Sequence, residues 1–224
     1  PIPLNEEESG GSLKTLFRSG LFWVMMAIML CGGAAEQAVA QWASLFTETA
    51  LGVSKAVGDI LGAGLFIALM GLARLSYGIF GKRLRLKMTL SVCAVLNIVG
   101  LLLTSLATHP VLGFVGCALC GLSIGIAWPG TLSLASRRVK GGGTSMFALL
   151  ALGGDIGCTL GPSVVGALGS RLDVLGSPLK SGLLYAVFFP VVMLILLLFV
   201  RRRPALQEPE KPEDPERPKP EAIQ

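Results

Sequence analysis

The chain has 224 residues and a formal net charge of +5, yet 52% of its residues are hydrophobic, only 15% are charged, and the mean hydropathy is +0.69. This composition excludes a soluble globular domain and leaves too few polar residues for a soluble catalytic unit. The positive charge sits in short segments between apolar runs rather than on a basic face with interleaved aromatics, which excludes nucleic acid as a partner.

Residues 1–18 are polar and end in Lys14 and Arg18. The first apolar run that follows is too long and too late for a signal peptide and lacks a small-residue cleavage site. This start reads as a cytoplasmic linker from a preceding part of a longer protein. A bilayer core of about 30 Å needs about 20 apolar residues per helix, and the sequence supplies six such runs. Residues 19–47 contain one charge, Glu36; residues 60–81 contain only Arg74; residues 88–136 contain none. That last run is long enough for two spans, and "ATHPV" around Pro110 is the turn between them. Residues 141–170 contain only Asp155, and residues 181–200 none. The predicted spans are 20–46, 58–80, 87–107, 111–134, 143–169 and 181–201, a six-helix bundle over residues 19–202 of an all-α membrane protein. With the N-terminus inside, the inner segments hold twelve Lys and Arg residues, among them Lys82, Arg83, Arg85 and Lys87. The outer segments hold three: Lys55, Arg171 and Lys180. The positive-inside rule therefore places both termini in the cytoplasm. Residues 203–224, rich in Pro and Glu, have almost nothing to bury and read as a disordered cytoplasmic tail.

Polar groups at membrane depth are costly and face a cavity or another helix. The first span contains "CGGAAEQAVAQW", which clusters Glu36, Gln37, Gln41 and Trp42. A carboxylate, two amides and an indole make a hydroxyl-binding surface; equally, amides join helices and Trp42 suits the membrane interface. The second span places Arg74 near its inner end, to snorkel or to pair with an acid. Asn97 in the third span suits an interhelical hydrogen bond. In the fourth, "GLSIGIAWPGTLSLAS" puts Trp128 beside Pro129, whose missing N–H frees the carbonyl of Gly125, as at a gate-region kink. In the fifth, "GGDIGCTLGP" combines Asp155 and Pro162 with glycines four apart (Gly153, Gly157, Gly161), so this helix packs closely and bends. The sixth span carries no charge and reads as lipid-facing.

Other chemistries find little support. The five cysteines all lie in apolar runs, and Cys117 and Cys120, one turn apart, have no nearby His, so no metal or cofactor is expected. The only His is His109, in an outer turn, which speaks against an intramembrane protease. A channel lacks a filter-like loop or ring of charge. A non-transporting structural or regulatory membrane protein is the main rival to a transporter, and Glu36 and Asp155 weigh against it.

The six-span layout, the basic linker and the loop "GLARLSYGIFGKRL" resemble the C-terminal half of a major facilitator superfamily transporter. Gly71, Gly78, Gly81, Lys82 and Arg83 loosely match the superfamily's cytoplasmic loop; its usual Asp is absent, and Arg74 precedes the loop. The stretches around Glu36, Trp128 and Asp155 resemble more narrowly the fucose-permease-like and related sugar-transporter branch. The resemblance implies one half of a twelve-helix fold, with a companion N-terminal six-helix half beyond this chain, and not an enzyme. It implies secondary transport of a small polar solute, possibly a sugar, by alternating access in the plasma membrane of a bacterial cell. On this reading Glu36, Gln37, Gln41, Trp42 and Trp128 bind solute, Glu36 and Asp155 couple protons or join the halves, and Pro129 and Pro162 bend helices at a gate. The first and fourth spans would line the passage, the second and fifth would meet the companion half, and the third and sixth would face lipid.

Overall fold

The computed structural model describes residues 13–139 and 143–200. Residues 1–12 of the linker, Lys140, Arg201–Arg203 and the 203–224 tail lie outside the described residues. All regular structure among the described residues is helical. A short α1 (Leu13–Phe17) precedes α2 (Gly20–Ala40) and α3 (Ala43–Leu51). Next, α4 (Lys55–Val57), a π-helical segment Gly58–Gly64 and α5 (Leu65–Phe80) run on into a 3-10 turn, Gly81–Arg83. Then come α6 (Leu86–Ser105), α7 (Pro110–Ile124), α8 (Ala127–Arg138), α9 (Gly143–Arg171), α10 (Pro178–Ala186) and α11 (Phe188–Phe199). Among the described residues, six helical stretches are long and apolar enough to cross a membrane: Gly20–Ala40, Lys55–Arg83, Leu86–Ser105, Pro110–Arg138, Gly143–Arg171 and Pro178–Phe199. These coincide with the six expected spans, with ends shifted by a few residues.

Local chemistry explains most boundaries. The chain leaves α3 at Gly52, whose φ of 69° suits a residue without a Cβ. His109 accepts a hydrogen bond from the Val111 N–H through Nδ1 at 3.3 Å, and Pro110 occupies the first helical position of α7. Two lysines tie span ends together. Lys87 Nζ donates to the carbonyls of Leu198 (3.3 Å) and Val200 (2.6 Å) at the end of α11, and Lys180 Nζ donates to Ala107 O (2.6 Å) just past α6. A cation there offsets the negative end of the helix dipole. These contacts fix the alternation of the spans. Lys14, Arg18, the basic 82–87 segment, Arg137 and Arg138 therefore gather at one end of the bundle, called the basic end below.

The bundle is organised around α2, whose spanning stretch is 67% buried, against 22% for the stretch containing α5. Lipid tails give helices no hydrophobic reason to associate, so close packing of small residues carries the contact. The main partner of α2 is α9. A Cβ at Gly157 would lie 2.0 Å from Leu30 O, one at Gly161 2.0 Å from Ala34 O, and one at Gly33 2.2 Å from Gly154 O. The glycine row on α9 is thus the seam against α2. A second seam joins α7 to α5, where a Cβ at Gly121 would meet Phe66 O at 2.1 Å. Buried Phe22, Met25, Ile28, Leu90, Leu150 and Met193 fill the interior around these seams.

The interruptions of the spans differ from expectation only in part. The first span breaks at Gln41–Trp42 instead of continuing to residue 46. The fourth breaks at Gly125–Ile126, upstream of Pro129, as the missing N–H requires. By contrast, α9 runs unbroken through Pro162. Asn97 is buried, and its Nδ2 donates to Ser123 Oγ at 3.0 Å, which joins the third span to the fourth.

Candidate functional site

The polar residues meet where α2, α5, α8 and α9 converge. Glu36 is the only charged residue in the spanning part of α2, and its helix face turns inward, so the residue is 8% exposed. A buried carboxylate needs a cation. Arg74 supplies it: Nη2 lies 3.0 Å from Glu36 Oε1. The pair is lopsided, because the Arg74 side chain is 44% exposed and that of Glu36 is 11%. The guanidinium therefore sits at the rim with most of its donors open, while the carboxylate is enclosed.

Trp128, at the start of α8, completes the cluster. Its indole ring packs over Gly154 of α9, where a Cβ would lie 2.6 Å from the ring. Its N–H faces the Glu36 carboxylate as a weak donor, without the geometry of a close hydrogen bond. Glu36 Oε2 and Trp128 Nε1 are both buried without a hydrogen-bond partner. An acceptor and a donor left side by side in this way can be satisfied together by one incoming hydroxyl, which both accepts and donates. Cys158 of α9 stands within electrostatic reach of both Glu36 and Asp155. Arg74 is nine residues from Arg83, Trp128 ten from Arg138 and Asp155 twelve from Gly143. At about 1.5 Å per residue these lie some 14 to 18 Å from the basic end, near the middle of a core about 30 Å thick.

Several residues sit elsewhere than the sequence suggested. Arg74 does not belong to the loop: with Gly71 and Gly78 it lies inside α5, in the half of its span nearer the basic end, because nothing between Leu65 and Phe80 stops the helix. Only Gly81, Lys82 and Arg83 form the turn. Trp42 does not join Glu36. Its Nε1 donates to Pro162 O at 3.2 Å and its ring packs against Gly166, so it bridges α2 to α9 above the site. Gln37 is half-buried and Gln41 exposed, and neither amide has a hydrogen-bond partner among the described residues. Asp155 is exposed and lines up with exposed Thr159 and Ser163 along one stripe of α9. Tyr77 donates to Ser133 Oγ at 2.8 Å and braces α5 against α8 beside Pro129.

Sequence reasoning passed over Tyr77 and Cys158. Both could have been found by helical spacing, since Tyr77 is three residues after Arg74 and Cys158 three after Asp155. It also passed over Asp59, whose carboxylate accepts from Ser44 Oγ and ties α3 to the π-helical segment.

Comparison with individual curated proteins gave no match. A family model described as Major Facilitator Superfamily matches residues 2–162 and again residues 50–223. Families built from internal repeats permit such overlapping matches. The matches run through every described span and the polar cluster between them. With six apolar helices and ionisable groups at mid-depth, the chain belongs to the Major Facilitator Superfamily, a family of membrane transporters of small solutes.

Proposed function

We propose that the chain forms half of a proton-coupled carrier for a small polar solute, of sugar or polyol type, in the plasma membrane. The observation that carries this reading is the juxtaposition of Glu36 Oε2 and Trp128 Nε1, both buried and unpartnered, beside the Glu36–Arg74 ion pair. One hydroxyl would satisfy both atoms, and the open donors of Arg74 and the free amides of Gln37 and Gln41 would take further hydroxyls. The cluster contains one aromatic ring, which favours a hydrogen-bonding solute over a flat apolar one.

Proton coupling follows from competition for Glu36. With Arg74 in place, the carboxylate is neutralised by a cation. When a solute hydroxyl group or the companion half draws the exposed guanidinium of Arg74 away, the enclosed carboxylate is left to take a proton instead. Asp155 is a charge that hydrocarbon would not tolerate, on a stripe with Thr159 and Ser163, whose hydroxyls donate to the carbonyls one turn back. A companion six-helix half would cover that stripe and exposed Arg74, closing the passage. Lys and Arg at the basic end support cytoplasmic termini.

The test is solute binding read at Trp128. In a Trp23→Phe/Trp42→Phe background, Trp128 is the sole indole. Titration with monosaccharides and polyols should change its emission saturably, and Glu36→Gln should abolish the change. A response to other polar solutes but to no sugar or polyol would overturn the solute class. A sugar response that survives Glu36→Gln would overturn the site.

A further inference from the structure

A second site lies away from this cluster, on the outer side of the bundle. Between α5, α6 and the α7–α8 break runs a cleft of about 480 Å³. It takes Arg85, the N-cap of α6, and from α6 itself Met88, Thr89, Val92, Cys93 and Leu96, which recur at helical spacing and form one face. Leu122 and Ile126 make the facing wall, and Arg83 joins Arg85 at the basic end. Met88 and Val92 are well exposed, so the cleft opens sideways, where hydrocarbon would surround the protein.

The polarity of the cleft is graded along its length. At the basic end, Arg83 and Arg85 are exposed, and neither guanidinium has a hydrogen-bond or ion-pair partner among the described residues. One turn deeper, the Thr89 hydroxyl likewise has no partner among the described residues. Beyond it the floor along α6 is apolar as far as Leu96, and the serines on the facing elements, Ser76 and Ser123, are spent on the carbonyls of Leu72 and Cys120. Arg85 to Leu96 is eleven residues, about 16 Å along the helix, which equals the depth of one leaflet of a core about 30 Å thick. Two cations at the surface, a hydroxyl at the depth of the ester groups and an apolar trough one leaflet deep match a single amphiphile.

We propose that this cleft binds one anionic glycerophospholipid, with its phosphate on Arg83 and Arg85, an ester carbonyl on Thr89 and one acyl chain along Met88, Val92 and Leu96. Lys87 does not take part, since its ammonium is committed to the carbonyls of Leu198 and Val200. Because the trough borders the α7–α8 break, a bound chain would brace α6 against the hinge at Gly125–Ile126.

The test is native mass spectrometry of the purified protein titrated in detergent with equal amounts of dioleoyl phosphatidylglycerol and dioleoyl phosphatidylcholine. One phosphatidylglycerol should be retained preferentially. Each arginine near an anionic headgroup contributes roughly fivefold, so Arg83→Gln/Arg85→Gln should lower the preference about 25-fold. Met88→Trp/Val92→Trp, which fills the trough and leaves the charges, should lose the lipid although both arginines remain. Millimolar inorganic phosphate should not displace it. An unchanged preference in the arginine variant, an equal fall in a Lys14→Gln/Arg18→Gln control, retention by the Trp variant, or displacement by free phosphate would each overturn the proposal.

Discussion

The Glu36–Arg74 pair should respond unequally to loss of its two members. At 3.0 Å and an effective dielectric constant of about 20, the attraction is about 5 kcal/mol, part of which offsets the desolvation of the carboxylate. Arg74→Gln leaves a carboxylate whose side chain is 11% exposed with no cation, and should cost about 3 kcal/mol. Glu36→Gln removes the enclosed charge and leaves a guanidinium that is 44% exposed and can be solvated, so its cost should be about 1 kcal/mol. The double variant has no stranded charge and should recover most of the loss seen in Arg74→Gln. Titration of helical content with denaturing detergent near pH 8 measures all three against wild type. Equal losses in the single variants, or no recovery in the double, would refute the argument that the enclosure of Glu36 governs the pair.

Other variants probe the frame around the site. Gly157→Ala forces a methyl to 2.0 Å from Leu30 O and should cost about 1–3 kcal/mol; Gly71→Ala, with nothing within 4 Å of the new methyl, should gain a few tenths up to about 1 kcal/mol from helix propensity, both read by the same titration. Trp42→Phe removes the bond to Pro162 O and part of the ring contact with Gly166 and should cost about 1–2 kcal/mol while sparing the solute response at Trp128. Asp173, in the loop after α9, accepts from the Ser181 hydroxyl (2.7 Å) and from the N–H groups of Leu175 and Ser177, which hold its carboxyl below the usual carboxylate range. The folded group is therefore the stronger acid. Its stabilisation is fully present above the ordinary value of about 4 and is lost as pH falls through the lowered one. Amide exchange at Leu175 and Ser177 should be faster in Asp173→Asn at neutral pH.

The spans were legible because twenty-residue apolar runs allow few alternatives in a bilayer, and the glycine row on α9 announced its seam by spacing alone. Pro129 announced a break because its missing N–H acts locally. The break at Gln41–Trp42 had no such sign: it arises where Trp42 turns to reach Pro162, 120 positions away. For the same reason the sequence could not separate the two indoles it named. Trp42 is near Glu36 along the chain, whereas Trp128 is near it in space. Arg74 was legible as a residue needing an acid, but choosing Glu36 required the crossing of α5 and α2. The opposite exposures of Glu36 and Asp155, one enclosed and one on an open stripe, also follow from packing and not from composition.

The central claim is that Glu36 is where solute movement and proton movement meet, and uptake into membrane vesicles tests it most directly. With a solute identified at Trp128, wild-type vesicles should accumulate it when a pH gradient is imposed. Glu36→Gln vesicles should lose that accumulation yet still exchange labelled for unlabelled solute. Undiminished gradient-driven accumulation by the Glu36→Gln variant would contradict the claim.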